Sequence, residues 1–382
     1  MKNELDITPF HVMDILARCK QMEAQGIDVV HMEIGEPDFP TPQPIANAGI
    51  AAIQNQLTQY TSALGLFELR AAISEYYNKR FCVSVVPEQI IVTPGASGAL
   101  QLILSYVLRA DKKLMICDPT YPCNRNVTKL MGGEVVAVPV DSETDFQLNA
   151  RLVEQNWQDD IAAVLIASPS NPTGTVCKQA QLLEMADFLA AKNKLLIVDE
   201  IYQGLTYDID SETVAGQRDN IIVLNSFSKY FGMTGWRAGW AVAPMKHIDA
   251  LDVIAQNTYL ATSTVAQHAA IAAFSEGTKK ILEERRGMFK QRRDLLCAAL
   301  SKLEIDVPVM PQGAFYVYAN ISKYSNDSFT FCRELLQDKA VAITPGCDFG
   351  EHQANQYVRF AYTTSDERIT IGMHRLGEFL NR

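Results

Sequence analysis

Lys229 lies in Ser226-Phe227-Ser228-Lys229-Tyr230-Phe231-Gly232-Met233-Thr234-Gly235-Trp236-Arg237, just after the apolar run Ile221-Ile222-Val223-Leu224. One amine, two serine hydroxyls and one guanidinium therefore share a loop at the end of a predicted buried strand. The amine suits a carbonyl, with which it condenses to a Schiff base. The hydroxyls and the guanidinium suit a phosphate. Together they fit a ligand that carries both an aldehyde and a phosphate. A solvated Lys and Arg on an ordinary loop is the plainer reading of this stretch alone, because short motifs match by chance.

Four further loops carry groups of complementary chemistry. Thr93-Pro94-Gly95-Ala96-Ser97-Gly98 links a predicted strand to a helix. Its small residues let backbone N–H groups approach an anion at the helix N-terminus. Tyr121, in Asp118-Pro119-Thr120-Tyr121-Pro122, is held stiffly beside proline and can stack on a flat heteroaromatic ring. Ser168-Pro169-Ser170-Asn171-Pro172-Thr173-Gly174 fixes a turn that aims the Asn171 amide. Asp199 closes the run Leu195-Leu196-Ile197-Val198, and a carboxylate so placed needs a partner. A protonated pyridine nitrogen would be that partner and would keep the ring an electron sink. Tyr202, three residues on, can reach a neighbouring ring hydroxyl. Taken singly, these loops also read as a tight turn, a core tyrosine, a simple loop and a helix-capping aspartate.

Their spacing joins them. Asn171, Asp199 and Lys229 follow at intervals of 28 and 30 residues, each the length of one strand–helix crossover. Groups for a ring hydroxyl, a ring nitrogen and an aldehyde then stand on neighbouring strands. Pyridoxal 5′-phosphate (PLP) carries all three, and a phosphate besides.

The elements that must position these loops are legible as apolar runs alternating with helical patterns. Ile90 to Val92, Leu114 to Cys117, Val135 to Val138, Ala162 to Ala167, Leu195 to Val198, Ile221 to Leu224 and Ala238 to Val242 read as short strands. Stretches such as 99–104 and 181–191 read as helices. The pattern predicts an α/β fold with a mostly parallel sheet covered by helices. Ligands bind such sheets at the carboxyl ends of the strands, where all five loops fall. The chain length predicts two domains. A large domain is expected over 45–280, after the proline-rich loop Pro37 to Pro44. A smaller α+β domain is expected from 1–44 and 281–382. It holds most of a long charged helix over 279–303, the run Gly313 to Tyr318 and a last strand over 357–361.

Composition narrows the function. The 382 residues are 48% hydrophobic and 20% charged, with net charge −10. That balance suits a soluble globular protein and argues against non-specific nucleic-acid binding. No apolar run is long enough to span a membrane. The N-terminal stretch lacks a basic start followed by an apolar core, so no signal peptide is expected. Eight cysteines show neither CxxC nor a zinc-finger spacing, and read as buried free thiols of a cytoplasmic protein. Cys123 and Cys347 fall near the site loops, where packing is the role expected of both.

With these motifs in view, the chain resembles the class I/II aminotransferases, the fold-type-I PLP enzymes of the aspartate aminotransferase superfamily. The resemblance runs from Ile34-Gly35-Glu36-Pro37-Asp38-Phe39 to Val358-Arg359-Phe360 and is most specific at SPSNPTG and SFSKYFGMTGWRAGW. It implies that Lys229 forms the Schiff base and shuttles protons, and that Asp199 pairs with the pyridinium. It implies that Tyr202 and Asn171 contact the cofactor phenolate and that Tyr121 stacks on its ring. Gly95, Ala96, Ser97, Ser226, Ser228 and Arg237 would form the phosphate cup, Ala96 through its backbone only. Arg359 would clamp the substrate α-carboxylate, with Asn171 beside it and Gly35 on a strand above. Tyr60 would reach the phosphate of a partner subunit, which implies a homodimer with shared active sites. The reaction implied is ping-pong transfer of an amino group from an L-amino acid to a 2-oxo acid. One departure concerns Ser97, a position where bacterial relatives acting on aspartate can carry lysine. An apolar or small amino donor follows from that difference.

Other readings remain at this level. The same scaffold supports C–S β-lyases, decarboxylases and racemases. A serine acyl-enzyme built on Ser226-Phe227-Ser228-Lys229 would also require a KTG element, which the chain lacks. A non-catalytic PLP-fold module would carry an added DNA-binding domain, for which no segment is spare.

Overall fold

A computed structural model describes residues 7, 11–108 and 111–381. Residues 1–6 and 8–10, part of the stretch judged for a signal peptide and of the expected small domain, lie outside the described residues. A helix (His11–Ala24) leads into a short strand, β1 (Val30–His31). Seven strands then build the central sheet: β2 (Ile90–Thr93), β3 (Lys113–Asp118), β4 (Glu134–Pro139), β5 (Ile161–Ala167), β6 (Leu195–Asp199), β7 (Ile221–Ser226) and β8 (Gly239–Val242). Their order is β2-β8-β7-β6-β5-β3-β4.

The central strands have continuous apolar runs because both faces of the sheet are covered. In β7, Ile221 and Val223 pack into one apolar cluster, while Ile222 and Leu224 pack into another. In β6, Leu196 and Val198 face the first cluster and Ile197 the second. The period of two along an extended chain produces this division. Helices Gly95–Val107 and Met245–Thr258 cover the second face.

The expectation of a mostly parallel sheet holds, with one reversal. β8 runs antiparallel to both β2 and β7. The β7–β8 connection, residues 227–238, holds no α-helix to carry the chain back for a parallel crossover. Two successive reversals leave β2 parallel to β7, so the carboxyl ends of β2, β3, β5, β6 and β7 share one edge. Thr93 and Ser226 are both in register with Gly239 at that edge.

Beyond the central sheet, the chain forms β9 (Tyr316–Asn320), β10 (Val341–Ala342), β11 (Thr344–Pro345) and β12 (Tyr357–Ala361). A three-stranded antiparallel sheet has the order β11-β12-β9, and β1 pairs in parallel with β10. The N-terminal segment thus meets the C-terminal one through backbone hydrogen bonds. The expected long helix spans Glu276–Lys302, capped by Ser275, whose side chain accepts from Thr278 N–H. The apolar run from Gly313 becomes a strand only at Tyr316. Gly313 N–H instead donates to the Gly174 carbonyl at 2.8 Å, and Ala314 N–H to Leu205 at 2.9 Å. Those bonds fasten this run to the strand-end loops. No helix among the described residues is long and apolar enough to cross a membrane.

Gly239 shows how tightly the strand ends are packed. A Cβ there would stand 2.7 Å from the Gly95 carbonyl carbon and 2.9 Å from Ala96 N, both backbone atoms that cannot rotate away. Gly239→Ala should therefore cost about 1–3 kcal/mol through overpacking. The measurement is the apparent melting temperature, and an unchanged value would show that β8 can shift freely.

Candidate active site

The shared edge brings most of the sequence-predicted residues together. Ala167 at the end of β5 pairs with Asp199, and Asp199 pairs with Leu224 of β7. The loops bearing Asn171, Asp199 and Lys229 therefore leave the sheet side by side. β12 supplies Arg359 from the second sheet, and Gly35 comes from the irregular segment after β1, not from a strand as expected, because the pairing with β10 ends at His31.

Lys229 is half-buried, and its Nζ donates to the Gly35 carbonyl at 2.8 Å. Burial pushes its pKa down to about 8, and the Arg359 and Arg237 charges push the same way. Glu36 and Asp199 oppose them. The result is an amine able to lose its proton near neutrality, as a general base requires. Asp199 moves the opposite way, to about 6, because burial disfavours its charge more than the Ile201 N–H bond and the Lys229 charge restore it. Its Oδ1 accepts from Ile201 N–H at 3.0 Å. Residues 201–204 form a turn rather than a helix, so Asp199 closes a turn and is not a helix cap.

Arg359 is 5% exposed and has no ion pair with a carboxylate among the described residues. Nη1 donates to Asn171 Oδ1 at 2.9 Å, and Nη2 donates to the Glu33 carbonyl at 2.5 Å and to Thr344 Oγ1 at 3.2 Å. Its Nε has no partner among the described residues. Tyr316 and Phe349 present their rings 4.4 and 4.7 Å from the guanidinium carbon. A buried cation held by neutral groups alone is a site for an anion.

At the other end of the cluster, Ser226 Oγ and Ser228 Oγ lie 3.0 Å apart, both buried. Arg237 is exposed, in the left-handed region with φ 53°, and its Nη1 donates to the Thr234 carbonyl. Gly95 opens helix Gly95–Val107 with φ +72°. A Cβ there would lie 2.6 Å from Arg237 Nη2, so only glycine lets the guanidinium reach the helix terminus. Ala96 is half-buried and Ser97 exposed in the first turn of that helix. Tyr121 is half-buried at the start of helix Pro122–Leu130. Burial pushes the nearby Cys123 and Cys347 thiols up, which suits packing rather than reactivity.

Tyr60 stands apart from this cluster. Its ring is 85% exposed and lines a shallow depression with Leu57, Phe67, Arg70 and His268, which includes none of the other site residues.

Several contributing residues escape sequence reasoning. Tyr316 hides in an apolar run, yet its hydroxyl lies 2.8 Å from that of Tyr202, and a Cβ on Gly35 would strike it at 1.8 Å. Glu33 acts through its carbonyl and Thr344 through a buried hydroxyl. A backbone acceptor leaves no sequence signal. Glu36 lies in Ile34-Gly35-Glu36-Pro37, but its charge reaches Lys229 only in three dimensions.

The comparisons with known proteins agree with this geometry. Residues 27–376 match the family described as aminotransferase class I and II. The chain belongs to that family. It is 35% identical to a valine–pyruvate aminotransferase of Mycobacterium tuberculosis, over 98% of this chain and 97% of that one. It is 36% identical to a (5-formylfuran-3-yl)methyl phosphate transaminase of Methanocaldococcus jannaschii, over 100% and 99%. A crystal structure of an aminotransferase from M. tuberculosis superposes with TM-score 0.96 at 33% identity, covering 100% and 99%. This chain is therefore an aminotransferase of the fold its sequence motifs implied. The lyase alternative finds no support among these relatives.

The position of Lys229 generates a pH prediction. Below about 8 the amine is charged, and above it the free base dominates. In the cofactor-free chain, modification of Lys229 by an amine-reactive reagent, followed by peptide mapping, should rise with pH through a midpoint near 8. Glu36→Gln removes a charge that favours the ammonium form, so its midpoint should move lower. A midpoint near the ordinary lysine value of 10.5 would contradict the burial argument.

Proposed function

We propose that this aminotransferase holds PLP among the strand-end loops and transfers amino groups between amino acids and 2-oxo acids, favouring an apolar or small amino donor. The observation that carries the reading is the pairing, in one cluster, of a depressed-pKa lysine with a buried arginine that lacks a carboxylate partner. The donor set fits the cofactor. Ser226, Ser228, Arg237 and the N–H groups at Gly95, Ala96 and Ser97 suit a phosphate, where glycine leaves room for close approach. Asp199, a carboxylate held among the described residues by a backbone N–H, suits a pyridinium. Asn171 and Tyr202 suit the ring hydroxyl and Tyr121 the ring face.

Bound PLP supplies an electron sink for the substrate Cα. Lys229 removes the proton at Cα and later returns one, which its lowered pKa permits. Asp199 keeps a proton on the ring nitrogen by charge pairing. Arg359 binds the α-carboxylate that donor and acceptor share, and Asn171 fixes the plane of the guanidinium. Gly35 brings its carbonyl to Lys229 Nζ, and its missing side chain makes room for the Tyr316 hydroxyl. Tyr316 and Phe349 beside Arg359, with no lysine at Ser97, support the apolar or small donor. A panel of amino donors tests it, and a clear preference for aspartate would overturn it.

The proposal includes a large domain over 45–280 and a small one from 1–44 and 281–382. It also includes a homodimer in which Tyr60 serves the partner's phosphate. Ile50, Ile53, Leu57, Tyr60 and Phe67 are all exposed within one sequence segment, which suits a subunit interface. A fully active monomer would sink the shared-site reading. Eight thiols fit a cytoplasmic location.

Borohydride reduction of the PLP-loaded chain should label Lys229, and Lys229→Ala should bind PLP without a covalent link. A label on another lysine would reassign the amine. Arg359→Lys keeps the charge but loses the planar fork. It should raise KM for both amino and oxo substrates by about 10- to 100-fold, the worth of one charged hydrogen bond. Unchanged KM values in both half-reactions would place the carboxylate elsewhere.

A further inference from the structure

Away from the strand ends, three side chains of different chemistry converge beneath helix His11–Ala24. Cys19 comes from the buried stripe of that helix, with Ile15 and Met22. His31 and Glu33 come from β1 and its continuation, two residues apart. An extended chain turns such a pair to one face. One ligand-capable atom from each of the three lies within 4.8 Å of the other two. Cys19 and Glu33 are fully buried, while the His31 side chain is 34% exposed.

The hydrogen bonds around this group leave a gap. Glu33 Oε1 lies 2.8 Å from His31 Nδ1, and Glu23 Oε1 lies 3.1 Å from His31 Nε2. Glu33 Oε2 is buried and has no partner among the described residues. A buried carboxylate oxygen without a donor is costly. An ordinary His–Glu ion pair satisfies Oε1 and leaves Oε2 unexplained. A cation beside it would satisfy it. Thiolate, imidazole and carboxylate together are ligands that zinc accepts in tetrahedral sites. The sulfur disfavours magnesium and calcium, which take oxygen ligands.

We propose that Cys19, His31 and Glu33 bind one divalent transition-metal ion, zinc by its ligand chemistry. Glu23 acts as a positioning residue, accepting from the far ring nitrogen of His31, as carboxylates do behind metal-bound imidazoles. A fourth position is left for water, which the exposed side of His31 admits. On binding, the metal takes the place of the Cys19 thiol proton and of any proton on His31 Nδ1, and both pass to solvent.

Residue spacing carries no hint of this group, because Cys19 and His31 follow no zinc-finger spacing and Glu33 is two positions beyond. The helix and strand must pack before the ligands meet. The site has a structural consequence. The Glu33 carbonyl accepts from Arg359 Nη2 and Thr344 Oγ1, and Gly35 accepts from Lys229 Nζ. A metal on the Glu33 carboxylate ties the N-terminal helix to the segment that holds both cations.

The test uses the full chain as purified, stripped with a chelator and dialysed against zinc at micromolar free concentration. Bound metal is measured by emission spectrometry and its ligands by X-ray absorption. One zinc per chain, with one sulfur and otherwise nitrogen and oxygen neighbours, is expected. Cys19→Ala and His31→Gln should each weaken binding by more than about 100-fold, and Glu23→Gln by about tenfold. Cys82→Ser removes an exposed thiol and should change nothing. His31→Gln alters a partly exposed position, so it tests the ligand set even if Cys19→Ala misfolds. No zinc retained, equal binding by the folded His31→Gln variant, or loss on Cys82→Ser alone would each overturn the site.

Discussion

The shared edge of strand ends is the constraint on which the rest of the molecule depends. Because β5, β6 and β7 run parallel and in register, three loops leave the sheet abreast. Because β8 reverses between β7 and β2, the Gly95 loop joins them at the same edge. The sheet's own backbone bonds fix this arrangement, which needs no contact between the functional side chains. It holds an amine, a carboxylate and an amide abreast on a rigid frame.

Burial then sets the electrostatics that the frame makes possible. The same loss of water pushes Lys229 down and Asp199 up, because in each case the charged form is disfavoured. Neighbouring charges decide how far each moves. Arg359 and Arg237 reinforce the fall of Lys229, while Glu36 and Asp199 limit it. Both groups are thereby brought closer to neutrality than the same side chains on an open loop, Lys229 to about 8 and Asp199 to about 6.

Arg359 links the two parts of the chain around this pair. It stands on β12 in the second sheet, yet donates to Asn171 from the central sheet's edge and to Glu33 near the N-terminus. Three distant segments therefore converge on one guanidinium, held by neutral oxygens and flanked by aromatic faces. Neutral partners hold it in place and leave its charge without a carboxylate partner among the described residues.

Much of this was legible before folding. Continuous apolar runs predict a covered sheet because both faces of β5, β6 and β7 are buried, and the intervals from Asn171 to Asp199 to Lys229 predict neighbouring strands because a crossover has a near-fixed length. Glycine at 95 signals a close approach because a side chain would strike Arg237. Other features have no local signature. The reversal of β8, the late start of β9, the pairing of Tyr202 with Tyr316 and the Glu33 carbonyl beneath Arg359 depend on contacts between residues far apart in sequence. So does the meeting of Cys19 with His31 and Glu33. Sequence determined which groups were present and the periodicity that carries them to the strand ends. Only the tertiary structure decided which were desolvated and which met, because burial and long-range hydrogen bonds exist only once the chain has closed on itself.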